Sequence, residues 1–216
     1  MLDELELLKK DWQKKEEQLP KLSYNEIHTM LWKKSSSIVK WVLTISVLEF
    51  SLPHLLYLIP GMTEKNMDIY EKLGVKDLAT TFWVLSYAIT LYFIYLFYKR
   101  YKEISVLDSA KDLMEKIIKT RKTVKYYVIY GLSFLFLACA LIFAGVYLTD
   151  NITDVFPPAE GAKEIAPEKF KNAVLWTIAI FSVVVVAVMG GIYFLLYGRL
   201  LRKLNKNYKE LKRLEI

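Results

Sequence analysis

The chain has 216 residues, 54% of them hydrophobic, and a formal net charge of +7. A soluble domain carries about 45–50% apolar residues, so the excess points to long nonaqueous segments. A single cysteine, Cys139, excludes an intrachain disulfide framework and a cysteine-built zinc site.

Met1-Leu2-Asp3-Glu4-Leu5-Glu6 is acidic from the start and has no early apolar core, unlike a signal peptide. The first membrane span is therefore expected to serve as its own uncleaved insertion signal. Leu2, Leu5, Leu8 and Trp12 recur at steps of three and four, the period of an amphipathic helix. They form the candidate face for a cytoplasmic protein partner. Pro20 interrupts this pattern. Ser23-Tyr24-Asn25-Glu26 then reads as a capping box that opens a new helix, with Tyr24, Ile27 and Leu31 along one side. Nothing breaks the chain between that start and the first apolar run.

A membrane helix needs about 20 mostly apolar residues to cross a hydrocarbon core of about 30 Å. Four segments qualify, at 38–59, 78–98, 126–148 and 173–198. The last three contain no Asp, Glu, Lys or Arg, and the first contains Lys40 at its rim and Glu49 inside. Alternate connecting segments hold 24 Lys and Arg against 6. By the positive-inside rule both ends of the chain are expected in the cytoplasm. Lysine outnumbers arginine about five to one, which hints at a bacterial chain and so at an inner membrane. The two outer loops carry more acid than base. The net charge is thus explained by anchoring to anionic lipid headgroups, with no nucleic-acid partner. Trp32, Trp41, Tyr98, Tyr101, Tyr126, Tyr127 and Tyr197 are expected at the cytoplasmic rim. Tyr57, Trp83, Tyr147 and Trp176 are expected at the outer one.

Between the second and third spans, Ile104, Leu107, Met114 and Ile117 or Ile118 fall on one face. In the tail, Leu201, Leu204, Tyr208 and Leu211 form a short heptad-like seam. The fourth span and the tail are expected to form one helix of about 45 residues. These faces either bury one another in a cytoplasmic bundle or dock a separate protein. Ile38-Val39-Lys40-Trp41-Val42 echoes Thr123-Val124-Lys125-Tyr126-Tyr127, and Phe97-Tyr98-Lys99-Arg100 echoes Leu196-Tyr197-Gly198-Arg199. The echoes point to two hairpins related by a pseudo-two-fold axis along the membrane normal, or to repeated membrane-rim chemistry.

The expected fold is therefore all-α, a polytopic membrane protein with four transmembrane helices in two hairpins and cytoplasmic amphipathic helices. Its parts are the N-terminal helices 1–37, a hairpin 38–98, a helical linker 99–125, a second hairpin 126–198 and a helical tail 199–216.

Glu49 is the most informative residue. An acid about ten residues past the rim is costly in hydrocarbon and is expected to face the bundle. Ser46, one turn earlier, and Ser86 and Tyr87 on the second span are its expected neighbours. The choice lies between a structural latch and a proton or cation site. His54 follows Pro53 on the same span. Five residues rotate it about 140° from Glu49, so the two share a face only if Pro53 distorts the helix. Glu49, Ser46, His54 and Tyr87 make up the candidate intramembrane polar site. Cys139 reads as a small apolar filler, and Ala140-x3-Ala144 and Ala187-x3-Gly191 as contacts between helices. No catalytic, cofactor or metal signature is present, so a non-enzymatic chain without a cofactor is expected.

The stretch Leu7-Leu8-Lys9-Lys10-Asp11-Trp12, with Leu19-Pro20-Lys21-Leu22-Ser23-Tyr24-Asn25-Glu26-Ile27 and Lys33-Lys34-Ser35-Ser36-Ser37-Ile38-Val39-Lys40-Trp41, resembles a group of small flavobacterial membrane proteins. Some of that group carry a beta-carotene monooxygenase label. The label implies iron held by a set of histidines, and this chain has two histidines, His28 and His54, on opposite sides of the expected membrane. A sigma-factor gene can lie beside genes of the group, which implies a membrane-held, anti-sigma-like regulator whose N-terminal helix binds the partner. Two functions follow as expectations. One is a regulator or scaffold that presents cytoplasmic helices to a soluble protein. The other is a small transporter or proton- or cation-conducting subunit that works through Glu49. Four spans rarely enclose a pathway, so the second requires a homodimer.

Overall fold

The computed structural model describes residues 6, 9, 10, 23–56, 68–104, 108–157 and 166–214. The candidate partner face Leu2, Leu5, Leu8 and Trp12 lies outside the described residues, as do Leu107 and Tyr57. Among the described residues there is no strand. The helices are α1 (Tyr24–Leu56), α2 (Lys76–Glu103), α3 (Ala110–Leu148), α4 (Ile152–Val155) and α5 (Pro167–Leu214). Four of them, α1, α2, α3 and α5, are long and apolar enough to cross a membrane.

Local chemistry sets their ends. At α1 the Ser23 N–H donates to Glu26 Oε2 at 2.7 Å, and the Glu26 N–H donates back to Ser23 Oγ at 3.3 Å. At α3, Ser109 Oγ accepts from the Asp112 N–H at 3.1 Å and donates to Asp112 Oδ2 at 2.7 Å. A helical turn at 68–72 closes on Gly74, whose φ of 68° is a left-handed conformation that glycine adopts without steric cost. There the Val75 N–H reaches the Tyr70 carbonyl at 3.0 Å and the Gly74 N–H reaches Glu71 at 2.9 Å, a Schellman closure. Pro167 occupies the first position of α5, where a missing N–H costs nothing. The fourth span and the tail do form one helix, of 48 residues. Likewise α1 runs without interruption from its capping box through the first apolar run.

The four long helices alternate in direction and close into a ring in which α1 touches α2 and α5, and α3 touches α2 and α5. The contact between α3 and α5 is the most extensive. These are the neighbour relations that a pseudo-two-fold axis produces. The first sequence echo also holds in burial. Ile38, Val39 and Val42 are buried and Lys40 and Trp41 exposed, and Thr123, Val124, Tyr127, Lys125 and Tyr126 repeat that order. The second echo is out of step by one residue, because Phe97 and Tyr197 are the buried members and Tyr98 and Leu196 are exposed.

At the lysine-rich end, Leu31, Ile38, Ile104, Leu113, Ile117, Leu204 and Leu211 share one buried cluster. The amphipathic faces there bury one another, and Ile117, not the exposed Ile118, is the inward residue. Buried positions repeat at steps of four and three on three helices. They include Leu31, Ser35, Ile38 and Val42 on α1, Leu113, Ile117, Thr120, Val124 and Tyr127 on α3, and, after a seven-residue step from Tyr197, Leu204, Asn207 and Leu211 on α5; Val39 and Thr123 are buried beside them. The tail seam is thus shifted from the expected one. Leu204 and Leu211 remain in it, Leu201 packs beside the next cluster, and the polar Asn207 replaces Tyr208 as the buried residue. At the other end, Leu73, Val146, Ile152 and Val155 form a small apolar cap.

Between these ends the outward faces are apolar and exposed, with Leu85, Ile129, Phe136, Val184 and Phe194 among them. This inverts the pattern of a soluble bundle and suits contact with lipid. Trp41, Tyr126, Tyr147 and Trp176 are exposed, as interfacial residues should be, but Tyr127 and Tyr197 are buried and belong to no belt. Trp32 packs partly against the lysine-end cluster. Ala140, Ala144, Ala187 and Gly191, expected between helices, are all exposed. Ala140 and Ala187 instead line an outward groove of about 550 Å³ between α3 and α5, together with Cys139. Close approach is provided elsewhere. A Cβ added to Gly131 would lie 3.0 Å from Tyr193 Oη, and one added to Gly145 would lie 3.2 Å from Leu73 Cβ.

Candidate functional site

The centre of the ring holds a chamber of about 500 Å³ to which all four long helices contribute. Glu49 supplies its one carboxylate. Helical side chains lean toward the N-terminus of their helix, so on α1 this carboxyl leans toward the lysine-rich end. There Tyr127 Oη of α3 donates to Glu49 Oε2 at 2.7 Å, and Tyr197 Oη of α5 donates to the same oxygen at 3.1 Å. The two tyrosine rings meet edge to face at 5.8 Å. Two phenols from different helices thus fix one acid, each sitting two residues from a basic residue, Lys125 or Arg199.

A second polar group lies across the chamber. Tyr130 Oη stands 2.9 Å from Ser86 Oγ and 3.3 Å from Thr90 Oγ1, and it donates to the Ser86 carbonyl at 2.9 Å. Aromatic rings pack around both groups. Phe93 packs at 5.5 Å from both Tyr127 and Tyr130, and Trp83 meets Phe134 edge to face at 5.2 Å. Tyr193, admitted by Gly131, closes the α5 side.

The four candidate residues from sequence divide. Glu49, His54 and Tyr87 all line the chamber, and Ser46 does not. The Ser46 hydroxyl is buried and donates to the Leu43 carbonyl at 2.8 Å, as a serine within a helix commonly does. The partners expected for Glu49 on its own helix and on the second span are replaced by tyrosines of the third and fourth. His54 reaches the same cavity as Glu49 although α1 stays helical through Pro53. Its Nδ1 lies 2.6 Å from the Phe50 carbonyl, and its ring sits 5.2 Å from that of Tyr87. Pro53 has a further effect, because it lacks the N–H that a helix would direct to the Glu49 carbonyl. The Glu49 carbonyl therefore lacks its ordinary helical donor.

The tyrosines were missed because aromatic residues at span ends ordinarily mark interfaces. One signal was available. Tyr193 and Tyr197 lie four apart and Tyr127 and Tyr130 three apart, so each pair shares a helix face in spans without any charged residue.

Beyond the chamber, a groove of about 530 Å³ at the basic end is lined by Lys33, Lys34, Lys203 and Lys206, with Glu210 as its acid. Among the described residues, no group of three or more His, Cys, Asp or Glu is placed to hold a metal ion.

No curated protein and no solved structure matches the chain at a significant level. A family match covers residues 25–216, which takes in α1 from its second residue, all of α2 to α5 and the whole chamber. The chain belongs to the family described as Domain of unknown function (DUF8845).

Proposed function

We propose that the chain is a non-enzymatic regulator or scaffold of the bacterial inner membrane, with both termini cytoplasmic, that presents cytoplasmic helices to a soluble partner. One observation carries this reading. The three helices that meet at Glu49 run unbroken into the basic bundle, so Glu49 and Ser35 share α1, Tyr127 and Ile117 share α3, and Tyr197 and Asn207 share α5. A change in how the acid is bonded reaches the bundle without crossing a loop. The lysine groove between α1 and α5 is complementary to an acidic segment of a partner. The excess of Lys and Arg at this end supports the cytoplasmic orientation. The resemblance noted above gives the reading its specific form, an anti-sigma-like anchor.

The test is purification of the intact chain in mild detergent. A stoichiometric soluble partner is expected, lost both on deletion of residues 1–19 and on reversal of Lys33, Lys34, Lys203 and Lys206 to Glu. Recovery of no partner, or of one that survives both changes, removes this reading.

The chamber favours a second reading, a small transporter or proton- or cation-conducting subunit that works through Glu49 as a homodimer. Reconstituted vesicles are then expected to show a flux that Glu49→Gln abolishes, and wild-type vesicles without flux would remove it.

A further inference from the structure

We propose that the chamber is a binding site for an amphipathic organic cation, an alkylated ammonium bearing an apolar group, with Glu49 as its counter-ion. This names the ligand class of the second reading and rests on that reading's use of Glu49.

Charge is the first argument. The chamber is lined by one acid and by no Lys or Arg. An anion would meet the carboxylate with no Lys or Arg to offset it. A cation paired with Glu49 leaves a site without net charge, which is what a low-dielectric environment favours. The carboxylate is already held for this role, since Tyr127 and Tyr197 both donate to Oε2 and fix its position.

The walls are the second argument. Phe50, Trp83, Tyr87, Tyr130 and Phe134 surround the space, and aromatic faces attract alkylated ammonium groups through the ring quadrupole. A small inorganic cation instead takes six or more oxygen ligands, which these carbon-rich walls do not offer. The volume of about 500 Å³ is that of a small-molecule site and far exceeds what a bare ion fills.

Access is the third. Leu52 and Pro53 belong to the lining and both are exposed, so the chamber is open beside α1. That opening lies within an apolar span, so the chamber communicates with the acyl region of a bilayer. A ligand with an apolar arm and a cationic head can enter sideways, head toward Glu49.

The probe is benzyltrimethylammonium, added to the full chain in nanodiscs of zwitterionic lipid. Binding is read as the part of the tryptophan fluorescence change that Trp83→Phe removes. Saturable binding is expected for this cation and not for benzylsulfonate, which has similar size and opposite charge. Glu49→Gln should weaken the cation at least about ten-fold, a difference readily resolved by titration. Equal response to cation and anion, no response to either, or full affinity in a folded Glu49→Gln variant overturns the proposal. If that variant does not fold, the comparison of the two probes on the wild-type chain decides alone. Saturable cation binding without any vesicle flux upholds the site and removes the transport reading. Flux that depends on Glu49 without cation binding does the reverse.

Discussion

Asn207 of α5 donates from Nδ2 to Ser35 Oγ of α1 at 3.0 Å, and both residues are buried. The two are 172 residues apart in sequence. A polar pair at a seam position fixes the register of one helix against another, because any slip leaves a buried amide without its partner. Ser35→Ala is therefore expected to destabilise the chain by about 1–3 kcal/mol. The double variant Ser35→Ala, Asn207→Leu should recover most of that loss. Thermal unfolding in detergent, arranged as a double-mutant cycle, measures it. A double variant no more stable than Ser35→Ala alone would show that the bond does not set the register.

The same logic applies at Glu49, 14 residues further along α1. Glu49→Gln keeps an acceptor for Tyr127 and Tyr197 and should leave folding nearly unchanged. Glu49→Leu strands two phenol donors and is expected to cost about 1–3 kcal/mol. Adding Tyr127→Phe and Tyr197→Phe to Glu49→Leu removes the stranded donors and should restore stability. Equal unfolding midpoints for the Gln and Leu variants would argue that the phenols do not depend on the acid.

Orientation is checked with single cysteines in a Cys139→Ala background. Cysteines at Asn66 and Gly161 are expected to react with a membrane-impermeant thiol reagent in intact cells whose outer barrier has been made permeable. Cysteines at Lys111 and Lys212, both exposed in the basic bundle, should react after lysis alone. The reverse labelling pattern would place the termini outside.

The two capping carboxyls give a pH dependence with a definite sign. The Ser23 N–H, then its hydroxyl, holds Glu26 below its ordinary value of 4.5, and the Ser109 hydroxyl holds Asp112 below 3.8. A lowered folded value means that the contribution is complete above the ordinary value and fades as pH falls through the folded one. Glu26→Gln and Asp112→Asn should therefore lower the unfolding temperature at pH near 7, and the gap to wild type should close in acid. Both groups are fully exposed, so the effect is small and screened by salt. A gap that persists unchanged in strong acid would mean that charge plays no part in these caps.

What could be read from sequence was what is encoded locally. The Ser23 helix start depends on residues three apart, and the continuity of α1 into the first apolar run and of the fourth span into the tail depends on the absence of a proline between them. Glu49 stood out because one acid in an apolar run has no inexpensive explanation other than burial. Its partners did not, because Tyr127 and Tyr197 look the same in sequence whether they face a headgroup or a carboxylate. They lie 78 and 148 residues from Glu49, and only packing distinguishes them from Tyr126, which is exposed. Asn207 escaped for the opposite reason, since a polar residue in a basic tail reads as solvated. Ala140 and Ala187 misled because small size permits close helix contact without requiring it.

The steps of four and three carry one more consequence. Seven residues of an α-helix fall about 20° short of two full turns, so a seam that stays buried over successive heptads winds its helices around each other with a left-handed superhelix. Tyr197, Leu204 and Leu211 keep that spacing on α5, and Leu31, Ile38 and Ile45 keep it on α1. Wound helices behave like meshed gears, because one cannot turn about its own axis unless its neighbours turn too. A partner that twists the C-terminal end of α5 would swing the Tyr197 phenol around the helix axis and off the carboxylate. A ligand that pulls the phenol would rotate the tail by the same angle.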